Sequence, residues 1–139
     1  MGSALVERSM GIEKIAVLGA GQMGNGIAQV AACAGYDVTM IDIKQEYVDK
    51  GLAAIENSLA RVVKKERMTA EEAANALARV KIATDKSAAA DADLVVEAIP
   101  EIPDLKFSTF AELDQICKPE AILASNTSSI SINAIAAAT

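Results

Sequence analysis

The chain has no histidine among its 139 residues. The side chain that most readily exchanges a proton near neutral pH is missing, so proton transfer by these residues would fall to another group. Cysteine is scarce as well. Two cysteines, Cys33 and Cys117, make neither a disulfide framework nor a metal site. Each lies in apolar, helix-like sequence and reads as a buried free thiol, for which a reducing compartment, the cytoplasm, is the natural home. No apolar run approaches the roughly 18 residues that a membrane-spanning helix requires. The first ten residues, "MGSALVERSM", hold no apolar stretch of signal-peptide length. They read as a leader or tag remnant ahead of the domain at residues 11–139. Positive charge is short too: 13 Lys and Arg against 19 Asp and Glu leave a net charge of −6. That balance disfavours general binding to nucleic acid or to an anionic membrane. An anionic ligand would need backbone N–H groups or a local basic cluster.

What the chain does have is apolar residues, 52% of the total, enough for the core of one domain. They fall in short blocks. "KIAVL" (14–18), "DVTMIDI" (37–43), "RVKIATD" (79–85), "DLVVEAI" (93–99) and "AILAS" (121–125) read as five strands. Between the first two lies the Ala-rich "IAQVAACAG", a helix stopped by Gly35. From Lys44 to Arg79 the period changes. Val48, Leu52, Ile55, Leu59, Val62 and Val63 recur at helical spacing, and "MTAEEAANAL" opens a second helix on a Thr69–Glu72 capping box. Residues 103–117 read as a helix opening on Pro103, with Leu105, Phe107, Phe110, Leu113 and Ile116 as its buried stripe. "SINAIAAAT" starts another. Strands alternating with helices predict an α/β fold: a doubly wound parallel sheet of the Rossmann type, with a helical hairpin inserted between strands 2 and 3.

Gly19-Ala20-Gly21-Gln22-Met23-Gly24 is G-x-G-x-x-G between a strand and a helix, and Asp42 ends the next strand 23 positions after Gly19. That context is a dinucleotide-binding signature. Gly19 would permit the tight turn, Gly21 the approach of a pyrophosphate, and Gly24 the close packing of helix on strand. The helix N-terminus would offer its free N–H groups to the phosphates. Asp42 would accept from the adenosine ribose hydroxyls and repel a 2′-phosphate, favouring NAD over NADP. The bland alternatives are a turn-capping Asp and a structural glycine turn. FAD-binding proteins share the fingerprint.

Three stretches, "VLGAGQMGNGIAQVAACAGYDVTMIDI", "LVVEAIPEIPDLKFSTFAELD" and "ILASNTSSISI", resemble the 3-hydroxyacyl-CoA dehydrogenases, and within them the short-chain 3-hydroxybutyryl-CoA branch. The resemblance covers residues 12–139 and implies oxidation of an (S)-3-hydroxyacyl-CoA to the 3-ketone with NAD, or the reverse. It implies that Glu101 and Lys106 contact the cofactor, although a helix-entry pair with a solvated lysine explains them equally simply. It implies that Ser128 hydrogen-bonds the reacting oxygen and that Asn126 shapes the loop near the nicotinamide. "SNTSS" also suits a polar loop, with Ser131 capping the last helix. Ser58 and Lys65 align with a serine and a lysine that hold CoA, within the basic run "ARVVKKERM" that would otherwise read as a solvated helix face. Their spacing of seven predicts one helix face.

In this family a histidine held by a glutamate takes the proton. The resemblance puts that motif, a sixth strand in the order 3-2-1-4-5-6, and a helical dimerising domain beyond Thr139. These residues would then supply NAD binding and half of the substrate site, without catalysis of their own. The alternatives are a stand-alone NAD-binding or structural module, or another dehydrogenase on the same domain. An in-frame His-Glu segment downstream would favour the first reading.

Overall fold

The computed structural model describes residues 12–100 and 102–125. Five parallel strands form one sheet in the order β3-β2-β1-β4-β5. They are β1 (Lys14–Leu18), β2 (Asp37–Ile41), β3 (Val80–Ala83), β4 (Leu94–Glu97) and β5 (Ile122–Ser125). Helix α1 (Gln22–Cys33) joins β1 to β2. The hairpin α2 (Gln45–Lys64) and α3 (Ala70–Ala78) joins β2 to β3, and α4 (Pro103–Ile116) joins β4 to β5. The predicted class, strand count and inserted hairpin all hold. Strand order turns back at β1, whose Val17 pairs with Met40 of β2 on one side and Val96 of β4 on the other.

Alternate residues of each strand feed two cores, because side chains of a strand point to opposite faces. Ile15, Val17, Val38 and Met40 pack with Ala28 and Ala32 of α1, Val48, Ile55 and Leu59 of α2, and Ala76 of α3. Ala16, Leu18, Ile41 and Val95 pack on the opposite face with Ala89 and with Leu113 of α4. Helices thus cover both faces, as a sheet of continuous apolar strands demands. Among the described residues no helix is long and apolar enough to cross a membrane.

Local chemistry sets the helix ends. The Thr69 hydroxyl accepts from the Glu72 N–H at 3.1 Å, and the Glu72 carboxylate accepts from the Thr69 N–H at 3.0 Å. This is the predicted capping box. Helix α2 stops in a Schellman motif: the Glu66 N–H donates to Val63 O at 2.9 Å and the Arg67 N–H to Val62 O at 3.1 Å. Glu66 occupies the left-handed position there, φ 59°, where glycine is usual.

At the amino ends of the strands, Asp93 gathers the chain. Its carboxylate accepts from the N–H groups of Glu13 and Lys14, both at 2.9 Å, and from the Lys118 ammonium. The Lys118 hydrogen bond, followed by the two backbone N–H groups, lowers the Asp93 pKa from 3.8 to about 2.

Several expectations need correction. Cys33 and Cys117 are free, but Cys33 is exposed and Cys117 half-buried. Cys33 sits in the last turn of α1, on the side away from the stripe of Gly24, Ala28 and Ala32 that is buried. The strands end earlier than read: β2 stops at Ile41, and Ile43 is 73% exposed. On α4 the buried residues are Lys106, Thr109, Phe110 and Leu113, while Leu105 is exposed. The helix turns a partly polar stripe inward because an acid waits for Lys106 inside.

Candidate functional site

The glycine turn follows β1 directly. Gly19 has φ +106°, and a Cβ there would lie 2.5 Å from the carbonyl oxygen of Ala98, at the end of β4. Only glycine meets both demands. Its N–H donates to Ile41 O at 2.7 Å, tying the turn to β2. A Cβ on Gly24 would lie 1.8 Å from Gly19 O, so this glycine lets the first turn of α1 fold back on the loop. Gly21 differs from both. A Cβ there would meet nothing within 4 Å, and the residue caps α1 with φ −67°. Its missing side chain leaves open space at a helix N-terminus, where the first N–H groups have no intrahelical partner.

Gly51 of α2 went unnoticed in the sequence. A Cβ there would lie 2.8 Å from Ala20 O and 2.9 Å from Met40 Cε. The hairpin helix therefore rests on the backbone of the glycine turn. A glycine inside a helical run, where it costs about 1 kcal/mol relative to alanine, was the available signal.

Asp42 closes the turn. One carboxylate oxygen accepts from the Ala20 N–H at 2.8 Å and the other from the Ile43 N–H at 2.7 Å. The turn-capping role is thus real. It does not exhaust the group, since an ionised carboxylate has about four acceptor positions.

These residues line a cleft of about 1010 Å³ across the carboxyl ends of β1, β2 and β4. Gly19, Gly21, Gln22, Met23 and Asp42 form one wall; Ile99, Leu105, Thr109 and Ile116 form another. Met23 is 58% exposed. A crevice outside the strand ends, at the point where strand order reverses, is where open α/β sheets bind ligands. The room at Gly21, the helix N-terminus and the acid ending β2 suit the pyrophosphate and ribose of a dinucleotide.

Behind the cleft wall lies a charged cluster. Lys106 and Glu97 are both 0% exposed, and the ammonium donates to the two carboxylate oxygens at 2.9 and 2.8 Å. The Ile99 N–H and the Ser125 hydroxyl also donate to Glu97, each at 2.6 Å. The solvated lysine of the helix-entry reading is excluded. Sequence reasoning missed Glu97, although an acid inside "LVVEAI" in a central strand was a signal. Glu101, Asn126, Ser128 and Ser131 lie outside the described residues.

A second groove, of about 500 Å³, runs between α1 and α2. Ser58 lines it with Lys50 and Arg61 of α2 and Gln22, Asn25 and Gln29 of α1. Lys65 is not part of that wall. It is the C-cap of α2, one residue past Lys64, and its N–H still donates to Arg61 O at 3.1 Å, so it keeps the helical spacing to Ser58.

The model of a family described as the 3-hydroxyacyl-CoA dehydrogenase NAD binding domain matches residues 14–139. The probable 3-hydroxybutyryl-CoA dehydrogenase of Deinococcus radiodurans is 52% identical over 125 residues, 90% of this chain and 45% of the relative. The 3-hydroxybutyryl-CoA dehydrogenase of Bradyrhizobium diazoefficiens is 49% identical over 92% of this chain and 44% of its own. The crystal structure of (S)-3-hydroxybutyryl-CoA dehydrogenase from Ralstonia eutropha superimposes with a TM-score of 0.89 at 45% identity, over 92% of this chain and 45% of that one. The chain thus spans about half the length of the relatives it matches. A fold shared at 0.89, a glycine turn open only at Gly21, and a family match running from β1 to Thr139 agree: the chain belongs to the 3-hydroxyacyl-CoA dehydrogenase family, as its NAD-binding domain.

Proposed function

We propose that the protein oxidises the 3-hydroxyl of a short (S)-3-hydroxyacyl-CoA, 3-hydroxybutyryl-CoA, to the ketone with NAD, or catalyses the reverse, and that residues 14–139 form the cofactor side of the site. The open backbone at Gly21, facing the cleft at the start of α1, carries this reading. NAD, when bound, supplies the hydride acceptor. The N–H groups of the glycine turn hold the pyrophosphate without an opposing charge, which an acidic chain otherwise lacks. Asp42 accepts from ribose hydroxyls and excludes a 2′-phosphate by charge. Glu101 contacts the cofactor beyond the pyrophosphate, Lys106 backs that side of the cleft from its buried pairing with Glu97, Asn126 shapes the loop near the nicotinamide, and Ser128 orients the reacting oxygen. With no histidine in the sequence, orientation rather than proton transfer is the role left to these side chains. Ser58 and Lys65 hold the CoA portion, with Arg61 and Lys50 supplying further positive charge along the Ser58 groove. The family resemblance extends the reading to a cytoplasmic homodimer.

Calorimetric titration with NADH and NADPH tests the cofactor assignment. NADH should bind at least about tenfold more tightly, the value of one charged contact. Equal affinities would remove Asp42 from its role, and no binding of either would overturn the reading. Consumption of NADH with acetoacetyl-CoA, by the protein that carries this domain, tests the substrate; no turnover refutes it.

A further inference from the structure

The described residues hold three methionines, and they differ in access. Met40 of β2 is fully buried, and Met68 is partly buried against the same core. Met23 is 58% exposed and lines the cleft. It is the second residue of α1, two positions after the open backbone at Gly21. The first backbone hydrogen bond of that helix runs from the Asn25 N–H to Gly21 O at 2.9 Å. The N–H groups of Gln22, Met23 and Gly24 precede it and stand outside the helical ladder. Helix side chains lean toward the N-terminus, so the Met23 thioether leans toward those N–H groups and the glycine turn.

A thioether is a soft, apolar group and a weak acceptor. Its sulfoxide is polar, with an oxygen that carries partial negative charge and accepts hydrogen bonds. The partial positive charge of a helix N-terminus attracts such an oxygen. The two cysteines offer an oxidant little competition. Burial pushes the thiols of Cys33 and Cys117 up, so near neutral pH both are thiols rather than the reactive thiolates.

We propose that Met23 is an oxidative modification site: hydrogen peroxide converts its thioether to the sulfoxide, which then competes with the dinucleotide for the N–H groups of the glycine turn. The competition rests on the dehydrogenase reading for the ligand that is displaced. In the oxidation the methionine sulfur attacks one peroxide oxygen, an S–O bond forms and the O–O bond breaks. Sulfur loses two electrons, peroxide gains them, and after a proton shift the second oxygen leaves as water. The net charge of the chain is unchanged, so the effect is local to the turn. It is reversible, because methionine sulfoxide reductases return the thioether. The exclusion also works the other way: a bound pyrophosphate covers the turn, so the occupied site oxidises more slowly.

Peptide mass spectrometry after a timed exposure of the protein to hydrogen peroxide reads each methionine separately. Met23 should gain one oxygen well before Met40 and Met68, and saturating NAD should slow the gain. Faster oxidation of Met68 or of either cysteine would overturn the assignment of the site. With the peroxide removed, calorimetric titration should show NADH bound at least about tenfold more weakly, the weight of one charge-assisted hydrogen bond. Methionine sulfoxide reductase with dithiothreitol should restore the affinity. Recovery with dithiothreitol alone would place the lesion on a thiol and overturn the proposal. Met23→Leu, whatever its own affinity, should keep it through the same treatment; a loss as large as that of the wild type would overturn the proposal too. Should the untreated protein bind no NADH, the dehydrogenase reading fails and takes the competition with it. Firm binding that outlasts the oxidation of Met23 overturns the competition alone.

Discussion

Gly21→Ala should separate binding from folding. Gly21 is extended at φ −67°, ψ −170°, which any residue adopts, and an added Cβ meets nothing within 4 Å. Alanine narrows the unfolded ensemble and so gains about 0.4–1 kcal/mol. It is a poorer helix cap than glycine, and that costs about 0.5 kcal/mol. The two nearly cancel, so the unfolding temperature should stay within about 3 °C of wild type. The methyl group would nevertheless fill the space through which a pyrophosphate approaches the backbone. Losing one charge-assisted hydrogen bond is worth about 1.5–3 kcal/mol, or roughly 10- to 150-fold in NADH affinity. Thermal unfolding by circular dichroism and calorimetric titration of NADH give the two readings on one sample. Gly24→Ala is the contrasting control. Its Cβ must move at least 1.2 Å, from 1.8 Å to the 3.0 Å limit, away from the backbone oxygen of Gly19, so it should lose stability as well as binding. A folded Gly21→Ala protein with wild-type NADH affinity would refute the assignment of that space to the cofactor.

Two further predictions concern stability alone. The Asp93 pKa is depressed to about 2, so its hydrogen bonds stabilise the fold fully above the ordinary 3.8 and progressively less as pH falls from there towards 2. The difference in unfolding temperature between wild type and Asp93→Asn should shrink over that interval; a difference constant with pH would show that the Lys118 contact is not what holds the carboxylate. Glu66→Gly should raise stability by about 1 kcal/mol, because Glu66 holds φ 59° at the end of α2 and glycine carries no penalty there. A lower unfolding temperature would mean that the side chain contributes more than its backbone strain costs.

Local signals made most of the architecture legible. Strands and helices alternate in blocks, the glycine spacing marks the turn, and Thr69 with Glu72 marks a helix start; each depends only on neighbours in sequence. The strand order followed from the fold class. What the sequence hid is set by contacts between distant segments. Leu105 looks like a core residue, but the cleft lies on its side of α4, while Lys106 takes the inward position because Glu97 meets it there. Gly51 looks like a weak point in a helix until α2 is laid against Ala20. Lys65 keeps the helical spacing to Ser58 as the C-cap of α2, yet it does not line the groove that Ser58 lines. Cys33 looks apolar by its neighbours and is exposed by its place on α1. The candidate site was half visible: its backbone cradle and Asp42 could be read, while Glu97 showed only as an acid in an apolar strand, with nothing local to pair it with Lys106.

The sheet also keeps two kinds of chemistry at opposite ends. The carboxyl ends of β1, β2 and β4 open on the cleft, whereas Asp93, joined to Glu13, Lys14 and Lys118, closes the amino ends. Parallel strands force this polarity, since every strand starts at the same edge. For laboratory evolution it provides an axis along which to choose substitutions. Robustness can be raised around Asp93 in one library while selectivity is altered around Gly21 and Asp42 in another. The two sets of changes are separated by the length of the strands, so they should combine with little interference.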